Sequence, residues 1–142
     1  MIISILSADD YEEFVPLMNE FRDFTITKEK FTEILEQMEK TGNTFNYVAR
    51  EKEKGPIIGT AKLIIECKFY HNGMNVGHIE DLVIKKEYSG KGYGSLFLRL
   101  LGDIALILGS YKVTLSCNNE IIPFYEKNEF KINGTTMAKY VE

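Results

Sequence analysis

The sequence predicts one α/β or α+β domain spanning residues 1–142. Apolar residues recur at three- and four-residue spacing in some segments and alternate in others, so helices and strands are interleaved along the chain. A length of 142 residues suits a single core, which buries roughly 68% of the surface an unfolded chain exposes. A composition of 44% hydrophobic and 27% charged residues excludes a disordered tail, a coiled-coil rod and a collagen-like repeat.

Ile2, Ile3, Ile5 and Leu6 form a β-prone run, and Ser7 with Asp10 three positions later has the pattern of a helix N-terminus. Phe14, Leu17, Met18 and Phe21 then repeat at helical spacing. Phe31, Ile34, Leu35 and Met38 do so again behind Thr27, a capping candidate. Arg22 to Ile26, between the two helices, is read as a loop long enough for a functional role. From Thr44 the period changes. FNYVAR, IIGTAKLIIECKFY and VGHIEDLVI are rich in β-branched and aromatic residues, with EKEKGP and HNGMN between them, which predicts an antiparallel meander. Lys52 to Lys54 read as a solvated hairpin tip.

After KKEYSGKGYGS, the run LFLRLLGDIALILG predicts a largely buried helix starting at about Ser95, with Gly109 where a C-terminal cap belongs. Tyr111, Val113, Leu115 and Cys117 alternate with Lys112, Thr114 and Ser116, the period of a strand, and Cys117 is expected as a small buried side chain. A short helix follows, capped by Asn118 or Asn119 with Pro123 in its first turn. FKI, Asn133-Gly134 and TTMAKYV predict a terminal hairpin.

Seventeen basic against twenty-one acidic side chains, a formal charge of -4, provide no overall positive field, so no nucleic-acid partner is expected. Cys67 and Cys117 stand fifty residues apart with no CxxC or Cys/His cluster, which argues against a disulfide framework and a metal site and suits a reducing, cytoplasmic setting. The opening MIISILSADD lacks the pattern of a signal or transit peptide, and the apolar stretch from Ser95 to Leu108 is too short to span a bilayer, so no membrane role is expected.

The chemistry concentrates in the turn bearing Gly90, Gly92 and Gly94 between a strand and a helix. Glycines let the backbone approach an anion, and the first amides of a helix are donors without intrahelical partners, reinforced by the helix dipole. Lys91 adds a cation. The spacing is GxGxG, and no GxGxxG or GxxxxGK[ST] occurs, so neither a Rossmann site nor a P-loop is supported. A purely structural strand-to-helix turn fits the glycines taken alone.

GHIEDLVI, YSGKGYG, the helix after it, GSYKVTLSC and PFYEKNEF, in that order over about 65 residues, resemble the GNAT acetyltransferases. Within that superfamily they are most similar to the enzymes that acetylate D-glucosamine 6-phosphate, on the route to UDP-N-acetylglucosamine, with GHIED and FYEK as the discriminating words. The resemblance implies a mixed, mostly antiparallel sheet flanked by helices and splayed at its centre, with acetyl-CoA as co-substrate and no metal. It places backbone groups of Leu82, Val83 and Ile84 along the pantetheine arm. It places Ser89, Gly90, Lys91, Gly92, Tyr93, Gly94 and Ser95 around the pyrophosphate and Asn118 on the same cofactor side.

Tyr125 of FYEK is placed near the acetyl-CoA sulfur, where a phenol can protonate the departing thiolate; a packed aromatic is the alternative. Glu80 and Asp81 are placed in the acceptor site, and their successive positions on a strand predict that they face opposite sides of it. Lys68, His71 and Lys139 are candidates for the sugar phosphate, partly across a homodimer, and Thr25 for the loop over the acceptor. Each of these cations equally fits a solvated surface charge, and His78 fits a hydrogen-bonded structural imidazole. Glu129 stands where the family pattern has glycine, leaving Asn128 to take a left-handed conformation. Other readings are acetyl transfer to a different small amine, or a non-catalytic acyl-CoA-binding module.

Overall fold

Ile2–Ile5 forms the edge strand β1, and the chain turns at Ser7, whose backbone N–H donates to Asp10 Oδ2 at 2.8 Å. Helices α1 (Tyr11–Asn19) and α2 (Lys28–Thr41) follow. Thr27 caps α2: its Oγ1 accepts from Lys30 N at 3.1 Å, and Gly42, at φ 74, ends the helix. Strands β2 (Thr44–Arg50), β3 (Ile57–Glu66) and β4 (Asn75–Ile84) make the expected antiparallel meander. Helix α3 (Tyr93–Ile107) is the crossover that brings β5 (Ser110–Leu115) parallel to β4. A short α4 (Ile122–Lys127) carries Pro123 in its first turn, behind a 3-10 turn headed by Asn118, whose side chain makes no capping bond. The computed structural model describes all residues, 1–142.

The five strands lie in the order β1-β2-β3-β4-β5. Each face of the sheet buries its own set of side chains. Phe97, Leu98, Leu101 and Ala105 of α3 pack on Ala49, Ile58, Ala61, Leu63, Ile65 and Ile79 on one side. Leu17 and Phe31 of α1 and α2 pack on Leu6, Val48, Ile57 and Val83 on the other. Asn46 and Thr60 are polar within the core and satisfy each other, Asn46 Nδ2 donating to Thr60 Oγ1 at 2.9 Å and Thr60 Oγ1 donating to the Tyr47 carbonyl at 2.7 Å.

Several boundaries differ from the sequence reading. Helix α3 starts at Tyr93, two residues before Ser95, because Gly92 at φ 84 already turns the chain into the helix. Strand β3 stops at Glu66, and Tyr70–Gly73 makes an irregular helical turn in which His71 and Asn72 are left-handed at φ 52 and φ 58. Strand β5 stops at Leu115, so Cys117 lies beyond the alternation and is exposed rather than buried. Glu129, at φ 70, takes the left-handed position expected of Asn128. The terminal hairpin does not form: no strand occurs after Phe130, and Ile132, Met137, Tyr140 and Val141 are exposed. An isolated two-stranded hairpin is marginal in water, and the tail meets the edge of the sheet through a side-chain bond, Ser116 Oγ to Thr136 Oγ1 at 2.8 Å, without pairing as a strand.

Candidate active site

Strands β4 and β5 are paired from Asn75↔Ser110 to Ile79↔Leu115 and then part, while β4 runs on beside β3 through Thr60↔Val83 and Gly59↔Ile84. From Glu80 to Ile84, main-chain groups of β4 that point away from β3 therefore have no strand to receive them. Leu82, Val83 and Ile84 lie on this open stretch, the geometry a linear amide such as pantetheine needs in order to pair as a surrogate strand.

A bulge sits at the start of that stretch. Thr60 pairs with Val83 and Lys62 with Glu80, so Ala61 of β3 faces two residues of β4, Asp81 and Leu82. Asp81 absorbs the extra residue at φ 51. This corrects the expectation that Glu80 and Asp81 face opposite sides: Lys62 is directly opposite Glu80 and shares its face, and Lys62 Nζ lies 3.6 Å from Asp81 Oδ2. The bulge cancels the strand's alternation and brings both carboxylates to one side.

The glycine turn lies at the far end of the open stretch. Gly90 and Gly92 have φ 75 and φ 84, and a Cβ at either would meet nothing within 4 Å, so the turn is an open cradle. No main-chain acceptor reaches the N–H groups of residues 90 to 95; the first bond of the helix is from Leu96 N to the Gly92 carbonyl at 3.1 Å. These amides, at the positive end of a buried helix, fit a diphosphate. Gly94 serves another need: a Cβ there would lie 3.1 Å from Phe124 Cζ, so the glycine lets α4 pack against the start of α3. Lys91 Nζ sits over the Tyr88 ring, 5.2 Å from its centroid. The Tyr93 hydroxyl donates to the Glu51 carboxylate, so Tyr93 ties the turn to the β2–β3 hairpin instead of offering its hydroxyl to a ligand. Ser89 precedes the cradle, its N–H bonded to the Lys86 carbonyl at 3.0 Å.

Tyr125 stands on α4 with its ring edge-on to Phe124 at 5.0 Å and to Phe130 at 5.8 Å. Burial, and secondarily the neighbouring Cys117, push its phenol above the ordinary tyrosine range, so it is a protonated donor at neutral pH. A cavity of about 1850 Å³ wraps the free edge of β5 and brings Tyr125 together with Glu80, His78, Thr114 and Ser95.

The residues expected to hold a sugar phosphate do not converge. Lys68 is ion-paired with Glu66 at 2.9 Å, the His71 ring stacks on Tyr111 at 3.9 Å, and Lys139 is exposed in the tail. The cations that do line the cavity are Arg99, Lys112, Lys127 and Lys131, none of them singled out in the sequence. Lys112, Thr114 and Ser116 were legible as the polar side of β5; the missing information was that both sides of the strand's free edge border one open cavity. Asn118 heads a turn. Thr25 is exposed in the α1–α2 loop, which is held by Phe24 N donating to Asn19 Oδ1 at 3.0 Å and the Tyr11 hydroxyl donating to the Ile26 carbonyl at 2.6 Å.

A sheet parted beside a strand-to-helix amide cradle defines a class of acyl-CoA-dependent transferases, and the family model described as acetyltransferase (GNAT) family matches residues 11–130. The chain belongs to that family and is an acetyltransferase. Its relatives narrow the class. It is 33% identical to glucosamine 6-phosphate N-acetyltransferase 1 of Dictyostelium discoideum over 138 residues, 96% of this chain and 88% of that one. It is 31% identical over 137 residues to the glucosamine 6-phosphate N-acetyltransferase of Arabidopsis thaliana, covering 95% of this chain and 92% of that one. The crystal structure of the Arabidopsis thaliana enzyme matches with a TM-score of 0.89 over 99% of this chain and 98% of that one.

Proposed function

We propose that this chain transfers the acetyl group of acetyl-CoA to the amine of D-glucosamine 6-phosphate, giving N-acetyl-D-glucosamine 6-phosphate and CoA, a step toward UDP-N-acetylglucosamine. The observation that carries the reading is the parting of β4 from β5 just beyond Ile79, beside the open amides of residues 90 to 95, in a chain similar along nearly its whole length to enzymes of that name. The pantetheine arm pairs with β4 at Leu82 to Ile84, and the diphosphate rests on the amides from Gly90 to Ser95. Glu80 and Asp81, on one face beside Lys62, hold the sugar and its amine. The amine attacks the thioester directly, an N–H of β4 receives the oxyanion, and Tyr125 protonates the leaving thiolate. The sugar's phosphate meets cations of the cavity, Arg99 and Lys112 among them.

Steady-state thiol release across small amines tests the acceptor. Charge-assisted hydrogen bonds of about 1.5–3 kcal/mol to the phosphate predict a kcat/KM for glucosamine 6-phosphate about 10- to 100-fold above that for glucosamine. Equal values for glucosamine 6-phosphate, glucosamine and unrelated amines would overturn the acceptor. A homodimer belongs to the same proposal: the exposed apolar side chains of Ile132, Met137, Tyr140 and Val141 reach a second copy and carry Lys139 with them. Sedimentation of the chain truncated after Phe130 should give a monomer, and an undiminished dimer would refute this part.

A further inference from the structure

Both nitrogens of the His78 ring are engaged. Nε2 lies 2.8 Å from Glu66 Oε1, and Nδ1 lies 3.0 Å from Thr114 Oγ1. The three side chains come from adjacent strands, Glu66 from the end of β3, His78 from β4, and Thr114 from the position of β5 in register with His78. Glu66 is also held by Lys68 Nζ, and hydrogen bonds from Lys68 and His78 keep its carboxyl below the usual carboxylate range. An ionised Glu66 only accepts, so Nε2 carries the ring proton. In the neutral imidazole Nδ1 then offers a lone pair, and the Thr114 hydroxyl is the donor to it. A hydroxyl whose proton is committed in this way presents only lone pairs to anything else. Thr114 lines the cavity that also holds Glu80 and Tyr125.

We propose that Thr114, His78 and Glu66 form the relay that removes the proton from the acceptor amine, with Thr114 touching the nitrogen and His78 and Glu66 as positioning residues acting through it. The inference rests on the acetyl-transfer reading above. As the C–N bond forms and the C–S bond breaks, the electron pair of the C–S bond leaves with sulfur, which takes the proton of Tyr125. The acceptor enters as its ammonium, and before the C–N bond forms one of its protons passes to Thr114 Oγ1 while the hydroxyl's own proton passes to His78 Nδ1. The second proton lost by nitrogen goes through water to the Tyr125 phenolate. The imidazolium is held between Thr114 and Glu66, then returns its proton to water, and the phenol regains one, so nothing is left over. The charged groups around the ring are Glu66 and Lys68 from β3 and the segment after it, Glu80 on β4 and Lys112 on β5, with the Lys62–Asp81 pair next along the strand.

The test measures kcat/KM for glucosamine 6-phosphate between about pH 6 and about pH 9.5 at saturating acetyl-CoA, for the unaltered enzyme, Thr114→Val, Thr114→Ser and His78→Gln, with the acetyl-CoA Kd and the melting temperature of each as controls. Thr114→Val and His78→Gln should lose on the order of 100-fold near neutral pH, the lower end of general-base effects, and recover as rising pH frees the amine. Thr114→Ser, which retains the hydroxyl, should restore the shape of the unaltered pH profile even where its rate is lower. Profiles for Thr114→Val and His78→Gln that run parallel to the unaltered one at every pH would overturn the relay and leave a structural contact. If Thr114→Val fails to fold, the His78→Gln profile decides. Better turnover of another amine by the unaltered enzyme would overturn the acceptor alone, and the same profiles are then read on that amine.

Discussion

Replacing Tyr125 by Phe separates chemistry from binding and folding. Phe keeps the ring contacts to Phe124 at 5.0 Å and Phe130 at 5.8 Å and removes only a hydroxyl whose raised pKa comes from burial and Cys117, not from a hydrogen bond. No partner is left unsatisfied, so stability near neutral pH should change by less than about 0.5 kcal/mol and the acetyl-CoA Kd by less than about twofold. Loss of the proton donor should lower kcat on the order of 100-fold, about 2.7 kcal/mol of activation free energy. The sign of the pH effect follows from the direction of the shift. A folded-state pKa above the unfolded value of about 10 contributes stability that is fully present below that pH and is lost as pH rises through the folded value. The variant should therefore lose less stability above about pH 10 than the unaltered enzyme, with the similarly raised Tyr47 and Tyr93 still contributing. Stopped-flow thiol release, calorimetry with acetyl-CoA and alkaline melting curves measure the three quantities. An unchanged kcat, or a loss of several kcal/mol in stability, would refute the assignment of the hydroxyl as donor.

Gly77→Ala sets a Cβ 3.1 Å from Ala105 Cβ, 3.1 Å from Val113 Cγ1 and 3.3 Å from Leu63 Cδ1, where a packed core has no room to yield. It should destabilise by about 1–3 kcal/mol and lower the melting temperature by about 3–10 °C, and an unchanged melting temperature would show that β4 and α3 can separate freely. Gly92→Ala meets no atom within 4 Å but sits at φ 84, so its left-handed strain of about 1–2 kcal/mol falls on the cradle. Calorimetry should find the acetyl-CoA Kd weakened by about tenfold or more. Glu66, its carboxyl held below the ordinary range by Lys68 and His78, contributes stability that is present above the unfolded carboxylate pKa of about 4.3 and lost as pH falls through the folded value. Acid unfolding of Glu66→Gln, followed by circular dichroism, should lack that component.

The glycine turn and the helix after it were legible because their signals are local. Positive φ asks for glycine at 90 and 92, and one apolar stripe buries Phe97, Leu101 and Ala105. The bulge was not, since Asp81 is not a residue type that marks a left-handed position strongly, and its conformation is imposed by the register of β3 against β4. The same non-local cause hides the cavity. Nothing in the alternation of Lys112, Thr114 and Ser116 distinguishes bulk water from the open, partly apolar groove that runs along β5. The tail misled for the opposite reason: TTMAKYV has strand composition, but a strand exists only when another edge receives it. The amide of Tyr93 stays in the open cradle where its place beside the glycines put it, and what the sequence did not show is the bond of its hydroxyl to Glu51, forty-two residues away.

On the proposed reading, the gap along β4 beyond Ile79 is filled by a small molecule and not by polypeptide. Folding and metabolism then share one equilibrium. Coenzyme at about 100 times its Kd would add about 2.7 kcal/mol to the free energy of unfolding, comparable with a core methyl group or two. A cell that runs short of the thioester would leave this strand edge bare, and the abundance of the protein would follow the supply of its own donor.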